Sequence, residues 1–256
     1  MIWLSALGWG LMIGAVLGLL GGGGALISIP ILLYVFHFSF AMAVGTSLLL
    51  VLVGALPSLV LYAIKRQVDW QSAFWMGASG SLGAAVGSQF SASVPPGVLL
   101  YLLIALILIS VWRLLQPGIS ASSATLPDGP MPPTVLQRLA LVGTGLAIGV
   151  LTGLVGVGGG FLIVPALIMV RQLEPRKAIA TSLLIITINA SAGMLGYWQQ
   201  LPLTQPVVGV LIGATLLGSL LGFQLSFKIS QAKLKQGFAL LLLLIAVLLF
   251  FNPPIH

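Results

Sequence analysis

The stretch Gly18-Leu-Leu-Gly-Gly-Gly-Gly-Ala-Leu-Ile-Ser-Ile-Pro30 occurs twice in this chain. Moved 135 residues along without a gap, it returns as Gly153-Leu-Val-Gly-Val-Gly-Gly-Gly-Phe-Leu-Ile-Val-Pro165. Residues 8–50 and 143–185 share 18 identities in 43 positions. These include Gly10/Gly145, Gly14/Gly149, Gly18/Gly153, Gly21/Gly156 and the Thr-Ser-Leu-Leu that begins at Thr46 and at Thr181. The register holds downstream in Tyr62/Tyr197, Gly83/Gly218, Gly87/Gly222 and Gln89/Gln224. Scattered glycine matches arise by chance in an apolar sequence; a single ungapped offset kept this far does not. The chain is an internal duplication, a construction common among membrane transporters.

Composition says what the two copies are made of. Of 256 residues, 59% are hydrophobic and 5% charged, where a soluble globule carries about a quarter charged. At about 20 residues per crossing, there is room for roughly eight to ten spans and no soluble domain beside them. The start, Met1-Ile2-Trp3-Leu4, lacks a basic leader and reads as the beginning of an uncleaved first helix. The chain has no cysteine, which excludes disulfides, thiolate metal sites and thiol catalysis. Its net charge of +7 comes from basic residues dispersed between apolar stretches. That pattern reports membrane orientation rather than a nucleic-acid patch, which needs clustering.

Five apolar segments can be marked in each half: 3–20, 25–37, 42–64, 71–90 and 96–115, then 136–155, 160–172, 176–198, 206–226 and 235–251. Residues 1–115 form the first transmembrane repeat and 135–256 the second. Between them 116–134, with its Ser, Pro and Gly, reads as a cytoplasmic linker. The second segment of each half is short, about 20 Å as a helix against a hydrocarbon core of about 30 Å. It either spans poorly or belongs to a re-entrant hairpin with the glycine run at its tip. In the first half the basic residues are Lys65, Arg66 and Arg113; in the second, Arg171, Arg176 and Lys177 follow the second segment and Lys228, Lys233 and Lys235 the fourth. All ten Lys and Arg, Arg138 included, fall on the cytoplasmic side if each half crosses an odd number of times and both termini lie outside. The expected fold is therefore an all-α polytopic membrane protein, an inverted duplication of two five-segment halves, each with a glycine-broken or re-entrant helix pair.

The glycines at 10, 14, 18 and 21, like those at 145, 149, 153 and 156, share one helix face and suit close helix packing. The runs Gly21, Gly22, Gly23, Gly24 and Gly158, Gly159, Gly160 differ, because consecutive glycines break a helix. Irregular backbone survives at membrane depth only when buried in protein or lining a cavity. A short helix starts after each run, and its free amides and dipole favour an anion. No Lys-Ser/Thr follows either run, so neither is a P-loop. The hydroxyl pairs Thr46, Ser47 and Thr181, Ser182 lie beside the glycine motifs, and Asn189 sits in the middle of an apolar run with Thr187 and Ser191 nearby. Such Ser and Thr can instead satisfy themselves on the carbonyl one turn back; the residues alone leave both roles open. Gln89 and Gln224 suit interhelical hydrogen bonds or the membrane edge. Asp69, Asp128 and Glu174 fall at segment ends or in the linker, so no carboxylate is placed mid-membrane, where a cation pathway would want one. His37 and His256 are isolated and make neither a metal site nor a triad.

The doubled Gly-x-x-Gly-x-Gly-Gly-x-x-x-x-x-Pro, each copy followed by Gly/Ala-Thr-Ser-Leu, resembles the TauE/SafE sulfite exporter family, also called the toluene sulfonate uptake permease family. The resemblance covers essentially the whole chain. It implies a secondary permease, without cofactor, for sulfite, sulfonates or related small organic anions, in the bacterial cell (inner) membrane. The anion would bind near the midplane at the glycine breaks, with alternating access. A coupling proton or sodium ion, the direction of transport and the oligomeric state stay open. Ala25 stands where the second copy has Gly160, so the two tips need not contribute equally. An intramembrane enzyme would show a nucleophile with its base, paired aspartates or His-Glu-x-x-His, and none is present. A non-transporting scaffold or subunit of a larger complex is the alternative that the duplication leaves standing.

Overall fold

The computed structural model describes residues 2–90, 93–115, 134–155, 160–203, 205–228 and seven positions between 240 and 251. Among them every regular element is helical. The order is α1 (Ile2–Leu20), α2 (Gly24–Tyr34), α3 (Phe40–Ile64), α4 (Trp70–Phe90), α5 (Pro96–Leu115), α6 (Val135–Val155), α7 (Gly160–Arg171), α8 (Pro175–Met194) and α9 (Pro206–Ser226). A 3-10 turn, Leu195–Gln200, continues α8. Five helices among the described residues are long and apolar enough to cross a membrane: α1, α3, α6, α8 with its 3-10 extension, and α9. α4 is 21 residues long but rich in Gly and Ser, which lowers its hydropathy while letting neighbours approach. Nine of the ten expected segments are present, each starting within two residues of its expected position. The tenth, 235–251, and the linker 116–134 lie almost wholly outside the described residues.

Local chemistry explains where the helices stop. Among the described residues His37, Arg66 and Gln172 are the positive-φ residues other than glycine, and they sit just after α2, α3 and α7 at φ 53, 54 and 53. A left-handed residue past a helix end turns the chain back so that later amides reach the last carbonyls. Thus Phe38 N–H donates to the Leu32 carbonyl at 3.0 Å and Gln67 N–H to that of Tyr62 at 3.0 Å. His37 and Gln172 occupy the same position in the two copies. α3 then starts at Ser39, whose hydroxyl accepts from Met42 N–H at 3.4 Å, and α8 starts at Glu174 with Pro175 in its first turn.

Glycine decides which helices pair. α1 packs on α9 and α4 on α6 so closely that Cβ atoms cannot fit between them. A Cβ on Gly14 would overlap the Thr215 carbonyl, and one on Gly149 the Gly80 carbonyl. Gly10 faces Leu211 and Ala214; Gly145 faces Met76 and Ser79. Gly18 faces Ser219 and Phe223; Gly153 faces Ala84 and Ser88. Each contact reappears 135 positions away with the halves exchanged: first-half α1 lies on second-half α9, and second-half α6 on first-half α4. Along α1, rising numbers meet rising numbers on α9, so these two run in the same direction, as do α6 and α4. α3 and α8 pack between these pairs. α3 ends where α8 begins, since Lys65 and Arg176 both reach Phe227, just past the end of α9.

Candidate functional site

The two glycine motifs touch inside the bundle. Between α1 and α2 lie Gly21, Gly22 and Gly23, all buried, and no side chain caps the first amides of α2. Gly21 has φ +68, and a Cβ there would stand 2.7 Å from Ser182 Oγ and 2.8 Å from the Ile179 carbonyl. Only glycine fits both the dihedral and the space. A Cβ on Gly22 would overlap the backbone of Gly160, and one on Gly160 would overlap that of Gly22 and stand 2.9 Å from the Gly21 carbonyl. Gly24 is pressed against α1, 2.6 Å from the Ile13 carbonyl by the same measure. Gly158 and Gly159 lie outside the described residues.

One face of α8 runs along both tips. Ser182 donates to the Gly21 carbonyl at 2.6 Å, with the Ile179 carbonyl also at 2.8 Å. Ile186, one turn on, brings Cδ1 to the site of a Gly160 Cβ at 3.0 Å. Asn189 follows on the same face. It is 1% exposed, and neither its Oδ1 nor its Nδ2 has a hydrogen-bond partner. The side chain lies over Gly80, where a Cβ would come 2.6 Å from Oδ1. A buried amide left unmade loses about 1–3 kcal/mol, so such a group calls for an explanation. Ser182 lies roughly 10 Å and Ile186 roughly 16 Å along α8, at 1.5 Å per residue, which sets the meeting point well inside the helix.

The remaining expected residues are elsewhere. Ser47 Oγ lies 2.5 Å from Ser28 Oγ, a buried bond tying α3 to α2. Thr46 is fully buried, and its hydroxyl has no partner. Thr181 Oγ1 accepts from Asp69 N–H at 2.9 Å, at the start of α4 rather than at the tips. Gln89 and Gln224 are exposed. Sequence reasoning overlooked Thr215, fully buried with an unpartnered hydroxyl and with its methyl against Gly54. The repeat holds the signal that could have found it. Positions 54 and 189 correspond, as do 80 and 215, so Asn189 over Gly80 and Thr215 over Gly54 are the same notch filled from opposite sides.

A second polar cluster surrounds Arg171 at the end of α7. Its Nε donates to Ser72 Oγ at 3.0 Å, its Nη1 to Gln137 Oε1 at 3.1 Å and its Nη2 to Asp69 Oδ2 at 3.4 Å. Asp69 Oδ2 also accepts from Ser72 Oγ at 2.7 Å. The cluster joins α4, α6 and α7, and through Thr181 also α8.

The profile described as "Sulfite exporter TauE/SafE" matches residues 6–249, nearly the whole chain. This chain belongs to the TauE/SafE family. A "Probable membrane transporter protein" of Xylella fastidiosa (strain Temecula1) is 39% identical over 186 residues, covering 72% of this chain and 69% of that one. Bacillus subtilis "Probable membrane transporter protein YunE" is 31% identical over 205 residues, covering 73% and 75%. A relative in Methanocaldococcus jannaschii, "Probable membrane transporter protein MJ0441", is 24% identical over 197 residues, covering 73% and 70%. No solved structure matches the chain. The TauE/SafE family and these relatives are described as membrane transporters, not enzymes, and the apolar helices make this member an integral multi-pass membrane protein.

Proposed function

We propose that this transporter is a secondary permease for sulfite, a sulfonate or a related small organic anion, which binds where the glycine tips meet the Ser182–Asn189 face of α8. The observation that carries the reading is Asn189, a buried amide with no partner, one turn beyond Ile186 on the face of α8 that meets the tips. Its Nδ2 is a donor in want of an acceptor, and the uncapped start of α2 adds amides and the positive end of a helix dipole. Ser182 donates to the Gly21 carbonyl, so one acceptor at the tip is already satisfied. Gly160 already stands at the meeting point; Thr46, Thr181, Gly158 and Gly159 would line the same space in another conformation.

The halves are read as an inverted pair. In support, α3 ends where α8 begins, and each glycine contact recurs 135 positions away with its partners exchanged. A two-fold axis through the meeting tips would then relate an outward-open to an inward-open state, which is alternating access by exchange of the halves' conformations. The dispersion of Lys and Arg orients it with both termini outside the cell membrane.

The test is uptake into proteoliposomes of sulfite and methanesulfonate, with proton and sodium gradients varied separately. Asn189→Leu keeps the volume and removes the hydrogen bonds. A lost hydrogen bond to a charged group is about 1.5–3 kcal/mol, roughly ten- to a hundred-fold in affinity, while the melting temperature should hold or rise because a buried unpaired amide has gone. Wild-type affinity in a well-folded Asn189→Leu protein removes the proposed site. No flux of any anion by the parent protein favours the scaffold alternative.

A further inference from the structure

The end of the bundle where α3 and α9 stop and α8 starts holds an arrangement that the glycine-tip site does not use. Lys65, at the end of α3, places Nζ 3.9 Å from the centroid of the Phe227 ring and 5.2 Å from that of Phe223. Arg176, in the first turn of α8, places Cζ 4.9 Å from the same Phe227 ring. Two cations sharing one ring lie within about 9 Å of each other, close to the Debye length at physiological salt, so they repel. Among the described residues neither Lys65 nor Arg176 makes an ion pair with a carboxylate. The one ion pair there is Arg171–Asp69, which occupies Asp69, and Glu174 is exposed and makes no cap bond.

The rings fix the cations without satisfying them. Phe223 stands edge-on to both Tyr62 and Phe227, at centroid distances of 4.7 and 5.2 Å, and Tyr62 Oη is held by Ser226 Oγ at 3.0 Å. A guanidinium over a ring face keeps the in-plane N–H groups of its edge, the geometry that grips an oxyanion in two places. An ammonium over a ring likewise keeps donors pointing away from it. At the positions of the other copy that correspond to Lys65, Arg176 and Phe227 stand Gln200, Ala41 and Ala92. None of the three is charged or aromatic, so the cluster belongs to one end only.

We propose that Lys65, Arg176 and the Phe227 ring form a second anion site, binding the terminal oxyanion of a sulfonate or phosphate group between the two cations. The group could arrive on a small soluble anion or on the headgroup of an anionic lipid, and the two sources separate experimentally. Phe227→Trp puts a reporter indole in the stack, read as the emission difference from the same protein without it. In phosphatidylcholine nanodiscs, methanesulfonate titrated against sodium chloride of equal ionic strength should give a saturable change. Lys65→Gln or Arg176→Gln should weaken it about ten-fold, and Lys65→Arg should largely retain it. If phosphatidylglycerol in the nanodisc produces the charge-dependent change and methanesulfonate does not, the lipid headgroup is the occupant. A response to neither, or one indifferent to both charges, overturns the site. Asn189→Leu should leave this titration unaltered, so the second site and the glycine-tip site stand or fall separately.

Discussion

Neutralising Asp69 should remove the charge partner of a largely buried cation. The Arg171 side chain is 10% exposed and that of Asp69 15%, so water does little to screen either. Removing one partner of a buried ion pair typically destabilises by about 3–5 kcal/mol. Two features of this pair reduce that figure. The Nη2–Oδ2 distance is 3.4 Å, long for a charge-assisted bond, and Nε and Nη1 keep Ser72 and Gln137. Asp69→Asn also keeps an oxygen to cap α4, where Ser72 N–H and Oγ now bond the carboxylate at 3.4 and 2.7 Å. The expected loss is therefore about 2–3 kcal/mol for Asp69→Asn, and about 1 more for Asp69→Ala, which loses the cap as well. Asp69→Asn/Arg171→Met removes both charges and should recover most of the loss, leaving a coupling energy above about 1 kcal/mol. Reversible unfolding in mixed micelles measures the parent, Asp69→Asn, Arg171→Met and the double variant for the cycle, and Asp69→Ala beside them, with the emission of Trp70, next to Asp69, as a local signal. A single Asp69→Asn within about 0.5 kcal/mol of the parent, with no coupling in the cycle, would refute the reasoning.

Two further expectations follow from the packing and the charge pattern. Gly149→Leu and Gly14→Leu should each destabilise by about 1–3 kcal/mol or more through overpacking against Gly80 and Thr215, whereas Gly143→Leu, with nothing within 4 Å of its Cβ, should be neutral; equal folded yields and unfolding midpoints for all three would contradict the helix pairing. Because the chain has no cysteine, Ser39→Cys and Glu174→Cys, at the starts of α3 and α8, can be labelled singly with an impermeant reagent; labelling from the same side would sink the inverted reading.

Helices were legible in the sequence because their signals are local. Apolar runs and the glycine runs located nine starts within two residues, and the shortness of α2 and α7 was visible as segment length. Partnership was not legible in that way. The face Gly10, Gly14, Gly18 announced a close neighbour, but nothing nearby in the chain says that the neighbour is α9. Polar residues were harder still, since a hydroxyl's role depends on what lies opposite. Thr181 and Ser182 look alike in sequence, yet one accepts from Asp69 N–H and the other donates to Gly21. Arg171 read as an orientation signal, though its guanidinium binds three helices together. Thr215 went unnoticed because a threonine in an apolar helix is ordinary until its partner proves to be a glycine.

The pairing of α1 with α9 has a consequence for how the protein is made. α4 and α6 are synthesised close together and can dock early. α1 must wait for about 190 further residues, which at roughly 5–20 residues per second is about 10–40 seconds. Through that interval its glycine face has no mate, and the membrane or the insertion machinery must shelter it. A ribosome that stops before Pro206 leaves the glycine face of the first helix without α9, so a truncation early in the second half is felt at the opposite end of the chain.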